Sequence, residues 1–213
     1  PFYQRSQYQT LRNLRSRRLE LLRNRLESLP DDARADARAV LDAELLIRER
    51  FRPMRDRKFD SLRIRCHGHF HLGQVLYTGK DFVITDFEGD PRQSLSERRG
   101  KHSAFQDVAS MLRSFHYAAH AAMLAEAEGA LPAGLPHLEP WYRFWQAWLP
   151  SSFLRGYLSA ARGAPFLPAD QEELRDLLEI HLLEECLFEL LHALEHRAAD
   201  RKSTRLNSSH VSQ

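Results

Sequence analysis

Residues His67 to Arg99 read HGHFHLGQVLYTGKDFVITDFEGDPRQSLSERR. Two polar clusters stand in this stretch. The first is His67-Gly68-His69-Phe70-His71, followed by Gln74; the second is Asp86-Phe87-Glu88. Between them, Gln74 to Tyr77 and Phe82 to Thr85 are short apolar runs of β-forming composition. Thr78-Gly79-Lys80-Asp81 is a turn signal. A hairpin this short places both clusters at one edge. Just upstream, Leu62-Arg63-Ile64-Arg65-Cys66 alternates apolar and polar, as a strand does.

Such an edge suits a hard cation. Mg²⁺ takes oxygen ligands, usually one or two carboxylates completed by phosphate oxygens and water. Asp86 supplies a carboxylate directly after an apolar strand, and Gln74 has a carbonyl oxygen to offer. Phosphoryl transfer needs such an ion to neutralise charge on the phosphates. The bland alternative is a hairpin whose polar ends merely face water. His67, His69 and His71 also alternate, and on a strand they share a face, which is a weaker pattern for Zn²⁺.

Outward from the hairpin the chain reads as helix. Leu11, Leu14, Leu19, Leu22, Leu26 and Leu29 fall near a 3.6-residue period, predicting a helix over 10–29. Pro30 ends it, and Asp31 and Asp32 are placed to cap a helix over about 33–51. Arg48, Arg50, Arg52, Arg55 and Arg57 form either an anion patch or a solvated helix end. Downstream, Val108, Met111, Leu112, Phe115 and Ala119 make the apolar stripe of a helix over 104–128. Gly129 to Leu138 reads as a surface loop and 141–161 as an aromatic-rich helix. Pro168-Ala169-Asp170 opens a last helix running to about Arg197. Trp141, Phe144, Trp145 and Trp148 are either core or a sugar-stacking platform, and core is the commoner fate of such a stripe.

Composition bounds the class. The 213 residues are 43% hydrophobic and 28% charged, a globular balance. The net charge of +2 resides in the last residues, where Arg201, Lys202 and Arg205 face Asp200 alone, so nucleic acid is not an expected partner. No apolar run approaches membrane-spanning length, so neither is a membrane. Cys66 and Cys186 have no metal or redox spacing; we expect two free thiols in a reducing cytoplasm. Asp200 to His210, DRKSTRLNSSH, resembles the translation of a sequencing-adapter oligonucleotide. We therefore expect one domain over 1–199 and a disordered foreign segment over 200–213. The opening Pro1-Phe2-Tyr3, without an initiator Met, reads as a cut end.

Several motifs in fixed order resemble maltokinases, of the aminoglycoside-phosphotransferase and protein-kinase-like superfamily. They are HGHFHLGQVL at 67–76, DFEGDP at 86–91, LSERR at 95–99 and DVASMLRSF at 107–115. The opening PFYQRSQYQTLRNL is similar to the form fused behind trehalose synthase. The resemblance implies a mainly α fold with a small β-hairpin, namely a protein-kinase-like C-terminal lobe without its N-terminal lobe. It implies ATP and Mg²⁺ as cofactors, maltose as substrate, maltose 1-phosphate as product and a trehalose synthase domain as partner in the parent chain. Gln74 and Asp86 would hold the metal, with Glu88 near it, and Asp107 would brace the catalytic loop. Asp107 also reads simply as a helix N-terminal acid favoured by the helix dipole.

Three departures stand out. His69 occupies the position of the family's Asp base; imidazole accepts a proton near neutral pH, but with a different charge and reach. Glu185 and His192 stand where the family has a sugar-holding Lys and a Tyr. No Gly-rich loop or β-strand Lys is present for ATP phosphates, so nucleotide-binding residues are unassigned and the fragment alone is expected to be inactive. A second reading follows, a catalytically silent sugar-binding or docking module attached to trehalose synthase.

Overall fold

The computed structural model describes residues 2–91, 93–127 and 138–210, with the side chains of 124–127, 138–139, 195–210, Phe2, Asp32 and His192 left out of the description. The chain divides into two compact units, residues 1–58 with 183–213, and residues 59–182. Both are mainly helical.

The first unit begins with α1 (Phe2–Arg25), which passes through a 3₁₀ turn at Leu26–Ser28 into α2 (Asp31–Asp42), α3 (Glu44–Arg50) and α4 (Pro53–Asp56). The heptad-like leucines of α1 put Leu11, Leu19 and Leu22 in full burial. Leu22 packs with Ala37 of α2 and with Leu194 of the last helix, α8 (Gln171–His210), with Leu26, Leu29, Leu41 and Leu190 around them. Arg25 adds a hydrogen bond from Nη1 to the Leu194 carbonyl at 2.6 Å.

The helix expected over about 33–51 is two helices. The chain pauses at Ala43 (φ −78°, ψ 5°) and resumes at once, with Ile47 N donating to the Ala43 carbonyl. Nor is the N-cap an aspartate. Pro30 is the N-cap and makes no side-chain bond, while Asp31 is the first helical residue and pairs with Arg34 at 3.1 Å. Pro30 pre-sets the backbone entry and so displaces the cap by one residue. Within the arginine run, Arg52 bonds Asp56 at 2.7 Å and Glu49 at 3.2 Å, and Arg55 bonds Asp56. These are exposed local pairs, screened by solvent, and they mark a solvated helix end.

In the second unit β1 (Ile64–Arg65) pairs antiparallel with β4 (Lys101–His102), and β2 (Val75–Tyr77) pairs antiparallel with β3 (Phe82–Ile84). In the hairpin Val75 faces Ile84 and Tyr77 faces Phe82. A short α5 (Leu95–Arg98) precedes β4, and α6 (Phe105–Ala127) and α7 (Leu138–Ala160) follow. Phe105, Val108, Ala109, Met111 and Leu112 bury the first half of α6. Phe115 meets Phe153 of α7 edge to face at 5.6 Å. The loop expected at Gly129 to Leu138 lies almost wholly outside the described residues.

Asp170 caps α8 by accepting from the amides of Glu172 and Glu173, each at 3.2 Å. Glu173 in turn accepts from the amides of Asp60 and Ser61 at 3.2 Å, tying down the segment that enters β1. The helix then continues to His210. No Gly or Pro interrupts 195–210, and extending an existing helix fixes one residue per added bond, without a new nucleus.

The aromatic stripe of α7 is not core. Trp141 is 64% exposed, and Phe144, Trp145 and Trp148 are also more than half exposed. Spacings of three, four and seven residues put all four on one helix face, and α6 meets α7 along another, through Phe153. Beside the stripe, Ala118, Ala119, Ala122 and Met123 of α6 face Trp141 and Trp145 across an open cleft of about 260 Å³.

Truncating Leu22 to Ala should destabilise the chain by about 2–5 kcal/mol, because its neighbours come from three helices. Urea unfolding followed by circular dichroism checks this; a midpoint equal to that of the parent chain would contradict the packing described.

Candidate functional site

The site is built on the loop between β1 and β2. Asp107, in the first turn of α6, turns its carboxylate toward this loop. One oxygen accepts from the His67 amide at 2.7 Å and the other from the Gly68 amide at 2.8 Å. The carboxylate is largely buried. Burial pushes its pKa above the usual range, and the two amides, Gly68 first, oppose that rise. A buried acceptor with two short donors fixes backbone as firmly as a strand pairing does.

His67 is a second pin. It is only 8% exposed. Its Nε2–H donates to the Thr85 carbonyl at 2.8 Å, and its Nδ1 accepts from the His69 amide at 3.3 Å. The ring therefore joins the first cluster to the end of β3, just before Asp86. Phe70 and Phe87 flank it at 5.5 and 5.0 Å. His71 accepts the Gly73 amide on Nδ1 at 3.1 Å and so caps the 3₁₀ turn Leu72–Gln74. Its pKa is lowered by burial first, then by His69 and His67, with Asp86 acting against them. The His69 ring stands edge to face on that of His71 at 4.5 Å. The Leu72 amide donates to Ser114 Oγ of α6 at 2.9 Å, a second tie between loop and helix.

The hairpin brings Gln74 and Asp86 together. Thr85 N donates to the Gln74 carbonyl at 2.9 Å, extending the β2–β3 ladder by one pair. The Gln74 amide nitrogen then reaches Asp86 Oδ2 at 2.9 Å. Asp86 has φ +61°, the left-handed region, and is the one described non-glycine residue there. Asp tolerates this region better than most residues, and such conformations gather at functional sites. The Glu88 carboxylate is exposed and makes no hydrogen bond or ion pair among the described residues; what is held at Glu88 is its carbonyl, which accepts from Arg98 at 3.2 Å.

The donor set fits a hard divalent cation. Asp86 presents a carboxylate at an open edge, and a half turn of the Gln74 amide puts Oε1 where Nε2 now lies. Phosphate oxygens and water would complete such a shell. Zinc does not fit: among the described residues no three His, Cys, Asp or Glu side chains are grouped to hold a metal. The alternating histidines fail because His67 is spent on Thr85 and His71 on Gly73. Glu185 lies in the part of α8 that belongs to the first unit. The His192 side chain falls outside the described residues.

Cys66 and Cys186 are both free thiols. Cys66 is buried under the loop, its Sγ 3.4 Å from the Ser103 carbonyl. Burial, and secondarily the Asp107 carboxylate, push its thiol up to about 12. Tyr157 of α7 is likewise raised to about 12 by burial and by the nearby Cys66 and Asp107. No helix among the described residues is long and apolar enough to cross a membrane.

No protein-family model matches the chain. Over 59 residues it is 42% identical to the glucosamine kinase of Mycolicibacterium smegmatis (strain ATCC 700084 / mc(2)155), a stretch that is 28% of this chain and 14% of that protein. The fold is found in solved structures of glucosamine kinase. One, in complex with glucosamine, ADP and inorganic phosphate, matches 97% of this chain with a TM-score of 0.65 and 22% identity. A second, crystal form B, gives 0.64 and 21% over 94% of the chain. The chain spans 46% of the length of each of these structures. This mainly helical architecture is thus a fold shared with part of a sugar kinase.

Sequence reasoning did not single out Thr85, Ser114 or the strand β4. Each acts through a backbone group or a lone hydroxyl, which leaves no pattern in spacing.

Two outcomes are expected. Asp107→Ala strands two loop amides and should lower unfolding free energy by about 2–6 kcal/mol, at about 1–3 for each group left unpaired, read by chemical denaturation. Iodoacetamide at pH 8 should label Cys66 only after unfolding, since the thiolate is the reactive form; peptide mass mapping before and after urea checks this.

Proposed function

We propose that this chain is the catalytic-loop half of an ATP- and Mg²⁺-dependent sugar kinase, a protein-kinase-like C-terminal lobe. The observation that carries the reading is the meeting of Gln74 and Asp86 at the hairpin end that follows the His69 loop, in a fold shared with part of glucosamine kinase. Gln74 and Asp86 would hold Mg²⁺, which when bound neutralises charge on the transferring phosphate. Glu88 lies two residues from Asp86 and would act on water around that ion.

His69 takes the proton. As the sugar hydroxyl oxygen bonds to the γ-phosphorus, the bond from that phosphorus to the ADP oxygen breaks, and the hydroxyl proton passes to the His69 imidazole. Asp107 holds the loop on which His69 sits. Its part is positional, exerted through the His67 and Gly68 amides. His71 limits the swing of the His69 ring by standing edge-on against it.

Maltose is the acceptor we assign, on the motif resemblance, with glucosamine as the competitor suggested by the solved structures. A trehalose synthase domain in the same polypeptide, and a reducing cytoplasm suited to two free thiols, complete the reading. Glu185 and His192 are assigned to the sugar only through their positions in the maltokinase-like motif.

The test uses the full-length parent polypeptide that this reading implies, with ATP, Mg²⁺ and either maltose or glucosamine, and mass detection of the sugar phosphate. Asp86→Asn keeps the left-handed backbone and removes the charge; it should abolish turnover. His69→Asp should raise turnover, by up to the ~10²–10⁴-fold that general base action contributes. Absence of any sugar phosphate, together with maltose binding by calorimetry, would instead establish the silent sugar-binding module.

A further inference from the structure

The loop 86–89 that carries Asp86 and Glu88 lies beyond the end of β3, so the hairpin ladder does not hold it. It also contains two residues with positive φ, Asp86 at +61° and Gly89 at +80°. A loop of that conformation needs an external hold if its carboxylates are to stay at the edge where Gln74 waits. The hold comes from α5.

This helix is a single turn closed by a capping box. Ser94 Oγ accepts the Glu97 amide at 3.3 Å, and the Glu97 carboxylate accepts the Ser94 amide at 2.9 Å. The box sets the direction of the last residue, Arg98, whose side chain folds back over the 86–89 loop. Its Nη1 donates to the Glu88 carbonyl at 3.2 Å. Its alkyl stem lies along Gly89, which is buried. A Cβ added there would come within 3.3–3.5 Å of Arg98 Cγ, Cδ and Cβ. On its other side Gly89 meets Gly68: a Cβ on Gly68 would lie 3.4 Å from Gly89 Cα. The Gly68 amide in turn is held by Asp107. Arg98, Gly89, Gly68 and Asp107 thus form one column, with α5 at one end and α6 at the other.

We infer that Arg98 is a positioning residue of the candidate site, clamping the loop of Asp86 and Glu88 against the loop of Gly68 and His69. It touches neither the proposed ion nor the sugar. It acts through the Glu88 carbonyl and the packing on Gly89, and so sets the distance between the acidic edge and the imidazole. The inference rests on the kinase reading for its purpose, but the clamp itself is a matter of contacts.

The experiment compares Arg98→Ala, Arg98→Met and Arg98→Lys in the full chain. Met keeps the stem and loses the hydrogen bond; Lys keeps a donor. Two signals are read: Mn²⁺ affinity by electron paramagnetic resonance, and the Gly68 and Gly89 amide shifts by NMR. A melting curve identifies any variant that does not fold. Arg98→Ala should weaken Mn²⁺ binding on the order of 10-fold, as loss of outer-shell support does, and shift both amides. Arg98→Met should give an intermediate effect and Arg98→Lys should recover most of the affinity. Unmoved Gly68 and Gly89 amides in a folded Arg98→Ala or Arg98→Met chain overturn the clamp. If the parent chain binds no Mn²⁺, the metal reading falls, and the amide shifts still decide whether Arg98 clamps the loops. Shifted amides with unchanged Mn²⁺ affinity would show that the clamp does not position the metal edge, and the positioning role would be lost.

Discussion

The Asp107 carboxylate, shared between the amides of His67 and Gly68, is the interaction on which the second unit's polar edge depends. It is a charge taken largely out of water and repaid by two short hydrogen bonds. That exchange is tolerable only where the loop is held in one shape, because a single lost donor leaves a buried acceptor short. The His67 ring inherits its place from this bond. It then passes the constraint to Thr85 and hence to the backbone entering Asp86. Fixing two amides therefore arranges side chains on a strand far away in sequence.

The second constraint is the narrowness of the hairpin. With three residues in each strand, β2 and β3 carry few ladder bonds, and most of their apolar side chains, including Leu76, Tyr77, Phe82 and Val83, are exposed. Such a hairpin is marginal alone. Its order comes from its ends: the Gln74–Thr85 pair, the Leu72–Ser114 bond to α6 and the His67–Thr85 bond. The polar edge and the stability of the hairpin are thus two aspects of one hydrogen-bonded ring. Removal of any member acts on both.

Much of this was legible in the residues and some was not. Apolar period located α6 and most of α1, because burial of one face is what a helical period encodes; α1 nevertheless begins at Phe2 and gives way to a 3₁₀ turn after Arg25, and α8 was marked by the start signal at Asp170. The hairpin was legible because turn chemistry and β-forming runs coincide at 74–85. The break at Ala43 was not, since neither Gly nor Pro marks it. The fate of the α7 aromatics was misread: an amphipathic stripe states that a face is apolar, not that anything covers it. The closeness of Gln74 and Asp86 followed from hairpin geometry, whereas Thr85 and Arg98 act through carbonyls and contacts that no spacing rule captures.

Gly68 and Gly89 show how finely the two loops are matched. Space alone would admit a methyl group at Gly68, where the nearest approach is an ordinary van der Waals contact of 3.4 Å. The obstacle is torsional: both residues sit at φ +80°, which L-residues with a Cβ avoid. At Gly68 the restriction is therefore one of handedness, whereas at Gly89 the Arg98 stem, 3.3 Å from an added Cβ, restricts bulk as well. The two achiral positions hold the loops together as a pair.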